Sequence, residues 1–191
     1  GKDDPAILEE SIDTSLTEIT RMRKMIEELL ELARREEKDE TSEANPVSVI
    51  EGVISEMAKL YPDATITLSK NGEIGTVFIT PNALGQVIRN IVENAIRYCE
   101  KVPKVNISLL MKGDKVEFQI TDNGIGIAEK NLPYIFDRFY RVDEARNRQI
   151  GGTGLGLSIS KMLLEKYNAS IEVKSEVNVG TVFLLKIPLK Y

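Results

Sequence analysis

The chain contains no histidine and a single cysteine, Cys99. Without an imidazole, a Ser-His-Asp nucleophile is excluded, and one thiol without imidazole all but excludes a structural zinc site. One cysteine makes no disulfide framework, which suits a reducing cytoplasm. Cys99 itself reads as a small buried apolar group at the end of a helical face. No apolar run approaches the ~20 residues that cross a bilayer, and no secretory hydrophobic region is visible. Internal repeats and low-complexity tracts are missing too. So is a strong basic patch interleaved with stacking aromatics, and nucleic-acid binding is not expected.

What is present is an ordinary globular composition: 191 residues, 42% hydrophobic and 29% charged. That length suits one mid-sized domain plus an appendage. The net charge of −5 is uneven. Residues 1–44 carry 14 acids and 7 bases, and the remainder 16 acids and 18 bases, so the arm holds −7 and the rest +2. A start at Gly1 reads as a piece of a longer polypeptide.

Residues 1–38 predict one long helix. Leu8, Ile12, Ser15, Ile19, Met22, Ile26, Leu29 and Ala33 alternate spacings of four and three, a heptad seam that must bury itself against something. Its length favours one face of a dimeric bundle over a helix folded back on its own domain. Residues 39–45 read as a charged linker without apolar anchors, and residues 46–191 as a second domain. Asn45-Pro46 opens a helix that runs through Leu60. Ala64–Lys70 and Gly75–Thr80 predict a strand pair around Asn71-Gly72. Thr80 caps a helix through Cys99. VNISLLM with VEFQITD, and ASIEVKS with TVFLLKI, predict two further strand pairs. The fold class expected is an α/β (α+β) two-layer sandwich, a mixed sheet with helices on one face, preceded by one coiled-coil-like helix.

Three segments carry chemistry. On the helix from Thr80, Asn90 and Asn94 lie one turn apart, with Arg97 after them. A carboxamide oxygen is a hard neutral ligand that Mg²⁺ accepts beside phosphate oxygens and water, and Arg97 can neutralise phosphate. Taken alone, such a face reads more readily as a solvated one. In the segment DNGIGI, Asp122 at a strand end offers a carboxylate to the exocyclic amine of adenine. Gly124 and Gly126 let backbone approach a flat base. Asp-Asn-Gly is also a hairpin signal, but Ile127-Ala128-Glu129-Lys130 begins a helix, not a returning strand. In GGTGLGL, glycines precede a helix with Leu157, Met162, Leu163 and the Lys166 stem as its apolar positions. A helix N-terminus favours anions. No Gly-Lys-Ser/Thr follows, so this is not a Walker A loop. Between these lie EARNRQI, with Arg146 and Arg148, which reads as a lid or a surface loop. PYIFDRFYRVD reads by default as a helix burying its aromatics, and alternatively as a docking surface. The three segments in this order point to a bound nucleoside triphosphate.

The combination resembles the bacterial sensor histidine kinases. NIVENAIRY is similar to their N box, DNGIGI and GGTGLGL to their two glycine boxes, IFDRFYRVD to their F box, and VGTVFLLKIP to the last strand of their ATP-binding domain. The likeness runs through residues 46–191. Residues 6–37 are similar to the second helix of the family's dimerisation and phosphotransfer hairpin. The resemblance implies ATP and Mg²⁺ as ligands, with Asn94 on the metal and Asn90 nearby. Arg97 and Tyr98 would border phosphates and ribose. Asp122 would read adenine, lined by Gly124, Gly126 and Ile127. Tyr140 and Arg141 would stand at the ribose side of the lid. Arg148 and the turn Gly152, Thr153, Gly154, Leu155, Gly156 and Leu157 would meet the phosphates, and Thr181 would close the adenine floor. Asn90 and Arg148 would act in catalysis. It further implies a response regulator as partner, a homodimer in full length, and a cytoplasmic position in a membrane-anchored sensor.

The family's phosphoacceptor histidine is missing, so phosphate transfer requires a histidine-bearing helix supplied in trans. Two other readings stand beside this one. ATPases of the gyrase, Hsp90 and MutL type carry a glutamate one turn before the metal asparagine. Here Asn90 occupies that position, and an amide cannot take a proton from water. The other is a nucleotide-regulated serine kinase or antagonist.

Overall fold

The computed structural model describes residues 42–142 and 153–190, with Ile12, Ser15, Leu16, Ile19, Thr20, Met22, Arg23 and Ile26 of the arm. Those arm residues are helical, and the seam side chains Ile12, Leu16, Ile19, Met22 and Ile26 are each more than half exposed.

Helix α1 (Pro46–Leu60) starts where the sequence indicates. The Asn45 side chain accepts the Ser48 N–H at 3.1 Å, and Pro46 occupies the first turn, where its missing donor costs nothing. The end of the expected linker is fixed, not free. Ala44 is buried and exchanges two backbone hydrogen bonds with Val77, at 3.0 and 2.9 Å. One small side chain was enough of an anchor because the backbone does the holding.

Strand β1 (Thr65–Asn71) forms as expected, but the hairpin does not. Val77 makes only isolated bridges, to Ala44 and Leu189, and β1 pairs in parallel with β2 (Lys104–Lys112). Parallel strands need a long crossover, and here it is helix α2 (Pro81–Arg97). Thr80 caps α2 by accepting the Ala83 N–H at 3.3 Å. Gly72, in the left-handed region at φ +79°, turns the chain out of β1 but not back onto it.

The other two pairs form as predicted. β2 and β3 (Lys115–Asp122) are antiparallel around Gly113, and β4 (Ser170–Glu176) pairs antiparallel with β5 (Gly180–Pro188). β5 also pairs with β3, giving the order β1-β2-β3-β5-β4. One face of the sheet is apolar throughout: Val105, Ile107 and Leu109 on β2, Val116, Phe118 and Ile120 on β3, and Phe183, Leu185 and Ile187 on β5. The alternate residues on the central strands, Gly180 excepted, are exposed or half-buried, so among the described residues a single helical layer covers the sheet. That layer is α1, α2 and helix α3 (Gly156–Lys166).

Two local expectations change. The segment 133–142 is not a helix. A 3₁₀ turn over Glu129–Tyr134 is followed by bends, Phe139 sits at φ +63°, and Tyr134 and Phe139 are half exposed. Proline at 133 lies inside the 3₁₀ turn and is compatible with a helix start, but Phe139 in the left-handed region interrupts any helical run after it. The core face of α3 is Leu155, Ile159, Leu163 and Leu164, while Leu157 and Met162 are only half-buried.

Candidate nucleotide-binding site

Where β3 ends and β5 begins beside α2, a cleft of about 300 Å³ opens. Its back wall is α2, whose apolar side (Leu84, Val87, Ile88, Ile91) faces the core and whose opposite edge presents Asn90, Asn94 and Arg97 to the cleft. Tyr98 caps this helix. Its carbonyl accepts the Ile125 N–H at 2.9 Å, tying the loop after β3 to the end of α2. Arg97 pairs with Glu93 at 3.3 Å, one turn back on the same edge.

Asp122 sits on the floor. Its Oδ1 accepts the Gly124 N–H at 2.8 Å and the Thr181 N–H at 3.1 Å, so one carboxylate oxygen joins two strands and a loop. Burial pushes its carboxyl above the ordinary aspartate range, against the opposing pull of the Gly124 and Thr181 amides. Gly124 and Gly126 have close neighbours. A Cβ at Gly126, where φ is +71°, would stand 2.0 Å from the Glu176 carbonyl oxygen, and one at Gly124 would stand 2.7 Å from that of Tyr98. The Asp-Asn-Gly sequence therefore makes a packed loop and not a hairpin.

On the far side, α3 begins at Gly156 with its first turn lining the cleft. Asn90 reaches across to it. Its Nδ2 donates to the Gly156 carbonyl at 3.0 Å and to Ser160 Oγ at 3.2 Å. The Asn90 amide nitrogen is thus committed to holding α2 and α3 together. Phe139 N–H donates to the Gly154 carbonyl at 3.0 Å, which holds the aromatic segment against the same turn, and the Tyr140 hydroxyl donates to Asn131 Oδ1 in the 3₁₀ turn at 3.2 Å.

Asn90, Asn94, Arg97, Tyr98, Asp122, Gly124, Gly126, Ile127, Tyr140, Arg141, Thr153, Gly154, Gly156, Leu157 and Thr181 thus all line one cleft. Leu155 does not. Its side chain is fully buried under α3, and only its N–H turns back, to Thr153 Oγ1. In a run of alternating glycine and leucine, one leucine must anchor the turn in the core, and spacing alone does not say which. Arg146, Arg148 and Gly152 lie outside the described residues. Sequence reasoning missed Ile125, Ile135, Val142 and Phe183 as lining residues. Phe183 was findable, since it lies two residues beyond Thr181 on the same face of β5. Cys99 is half-buried, not buried, with Sγ 3.5 Å from Asn123 Oδ1.

Residues 79–191 match the family described as histidine kinase-, DNA gyrase B- and HSP90-like ATPases. The chain belongs to that family, and the cleft lies in its ATP-binding domain. Among individual relatives, it is 42% identical over 189 residues to the signal transduction histidine-protein kinase ArlS of Staphylococcus aureus (strain USA300), covering 96% of this chain and 41% of ArlS. The chain thus spans about two fifths of the length of that relative. Full-length ShkA in complex with AMPPNP superposes with a TM-score of 0.72 at 26% identity, covering 94% of this chain and 38% of ShkA. The mycobacterial sensor histidine kinase MprB has the same fold, with a TM-score of 0.68 at 22% identity, over 78% of this chain and 97% of its own. Among the described residues, no helix is long and apolar enough to cross a membrane.

Proposed function

We propose that this chain is the catalytic, ATP-binding portion of a sensor histidine kinase. It holds ATP so that the γ-phosphate meets an imidazole on a helix outside this sequence, for relay to an aspartate of a response regulator. The observation that carries the reading is Asp122, a half-buried carboxylate on the cleft floor whose Oδ1 is fixed by two backbone amides. Its other oxygen accepts the adenine amine. Gly124 and Gly126 flank the base, and Ile127 and Phe183 supply apolar surface. Asn90 holds the start of α3 against α2, so that the first-turn amides of α3 face the phosphates. Arg97, Arg141 and Arg148 supply positive charge there.

Mg²⁺ fits this donor set. Among the described residues no group of three or more His, Cys, Asp or Glu forms a cage. Magnesium needs none, since it takes one or two protein oxygens and completes its shell with phosphate and water. Asn94 is the residue to hold it, and the bound ion would neutralise phosphate charge. Asn90 offers no base for water, so ATP is kept for transfer and hydrolysis by the chain alone is slow. This disfavours the gyrase-type alternative.

The domain reading completes the proposal: residues 1–38 as one helix of a dimerisation hairpin, 39–45 as linker, 46–191 as catalytic domain. The exposed seam of Ile12, Leu16, Ile19, Met22 and Ile26 pairs with a second copy. The full-length protein is a membrane-anchored homodimer with this portion in the cytoplasm.

Calorimetry with AMPPNP and magnesium tests the site. The expected result is binding by the wild type and a loss of roughly 10- to 100-fold in Asp122→Asn, the worth of one charged hydrogen bond. Unchanged affinity in the variant removes Asp122 from this role. Phosphate transfer from labelled ATP to a histidine-bearing hairpin supplied in trans tests the activity, and transfer to serine instead would favour the serine-kinase reading.

A further inference from the structure

Behind the cleft floor, three oxygens and one amide meet, and one distribution of protons satisfies them all. Ser175 on β4 stands opposite Thr181 in the β4–β5 ladder. Its Oγ accepts the Ile127 N–H at 2.8 Å, and lies 2.9 Å from the Gly180 carbonyl oxygen and 2.9 Å from Thr181 Oγ1. A serine hydroxyl has one proton to give, and a carbonyl oxygen can only accept. The Ser175 proton therefore goes to Gly180. Two oxygens at hydrogen-bond distance with no proton between them repel, so the Thr181 hydroxyl must donate to Ser175. Thr181 lines the cleft. With its one proton directed backwards, its hydroxyl offers a ligand only lone pairs.

We propose that Ser175 is a specificity-determining positioning residue. By fixing the direction of the Thr181 hydroxyl, it makes the base end of the cleft an all-acceptor surface that selects a 6-amino purine over a 6-oxo purine. The inference rests on the nucleotide reading above and deepens it. Asp122 supplies the second set of lone pairs, and its carboxylate is held to Thr181 by the strand amide itself. The exocyclic amine of adenine brings two protons to these acceptors. The carbonyl of hypoxanthine brings none, and sets an oxygen against oxygens. Ser175 does this from the second layer, without lining the cleft. It also anchors the loop after Gly126 through the Ile127 amide, so its removal has two separable consequences.

Calorimetric titration of the chain with ADP and with IDP, both with magnesium, separates them. The wild type is expected to prefer ADP. In Ser175→Ala, freeing Ile127 weakens both nucleotides alike, while freeing the Thr181 hydroxyl lowers the ADP-to-IDP preference by roughly tenfold. Ser175→Thr, which keeps the hydroxyl, retains the preference. Adding Ser175→Ala to Thr181→Val changes the preference no further than Thr181→Val alone. An unaltered preference in Ser175→Ala overturns the inference, whatever happens to the two affinities. A wild type that binds both nucleotides equally overturns it and leaves the nucleotide reading standing. A wild type that binds neither takes both readings down.

Discussion

At the end of the cleft where β3 finishes and β5 starts, Asp122 Oδ1 takes two backbone amides, and Ser175 ties a third amide to a carbonyl and a hydroxyl. At the other end, α2 faces the start of α3, and the ties that Asn90 makes across that gap come from one carboxamide. The first end hangs on main chain held in strand pairing, gathered by the Asp122 and Ser175 side chains. The second is one side chain spanning two helices. On the proposed reading, the first end takes the flat base and the second takes the phosphate that is passed on.

Alanine at matched glycines breaks the comparison most sharply. Gly126→Ala puts a Cβ 2.0 Å from the Glu176 carbonyl oxygen in a left-handed backbone, and is expected to cost roughly 3 kcal/mol or more. Gly156→Ala meets nothing nearer than Asn90 Cγ at 3.5 Å and joins a helix start, so stability changes by less than about 1 kcal/mol. Thermal melting of the two variants decides; equal losses would remove the distinction.

Asn90→Ala is expected to cost about 2 kcal/mol, because the Gly156 carbonyl and Ser160 Oγ both lose the amide that ties them to α2. Urea denaturation measures this in the absence of nucleotide, when catalysis plays no part. A wild-type midpoint would return Asn90 to a purely chemical role.

Asn94→Asp is expected to reduce use of magnesium-ATP in trans phosphotransfer by roughly tenfold while leaving adenosine binding intact, because the added charge opposes phosphate. Loss of adenosine binding would show that the two ends are not separable.

The smallest effect concerns pH. Burial raises the Asp122 pKa in the folded chain, so the folded state binds its proton more readily than the unfolded one. Stability from this group is therefore full below the ordinary aspartate pKa and falls as pH rises through the raised value. On the proposed reading, nucleotide affinity is expected to run the other way, since the adenine amine would need the carboxylate. Empty Asp122→Asn should melt slightly higher than wild type at neutral pH, by less than about 1 kcal/mol, with the gap closing toward about pH 4. A variant that melts lower at neutral pH would mean that the charge stabilises the fold.

The elements and the cleft were legible wherever local chemistry and tertiary context agree. Asn45, Thr80 and Gly113 act over a few residues, and they start or turn the chain as their types indicate. Asp122, Asn94 and Thr181 line one cleft because strand ends and a helix edge converge there; Thr181 was expected from the family resemblance alone. The hairpin at Asn71-Gly72 misled because turn chemistry fixes a bend but not a partner. The bridges Val77 makes, to Ala44 and to Leu189, draw on distant parts of the chain. The Leu155 side chain lies in the core and not in the cleft, and an alternating pattern does not reveal which leucine the core claims. Ser175 carried no signal at all. Its importance comes from standing opposite Thr181, a property of register alone.

β5 lies between β3 and β4, and its second residue supplies the amide that completes the shell of Asp122. On the ribosome, β1, β2 and β3 can associate as soon as they emerge, but β4 must wait for a neighbour synthesised after it. The pocket is therefore born late, and in one step. A nascent chain halted before residue 180 lacks Thr181 and Phe183, and with them the part of the cleft lining that β5 supplies.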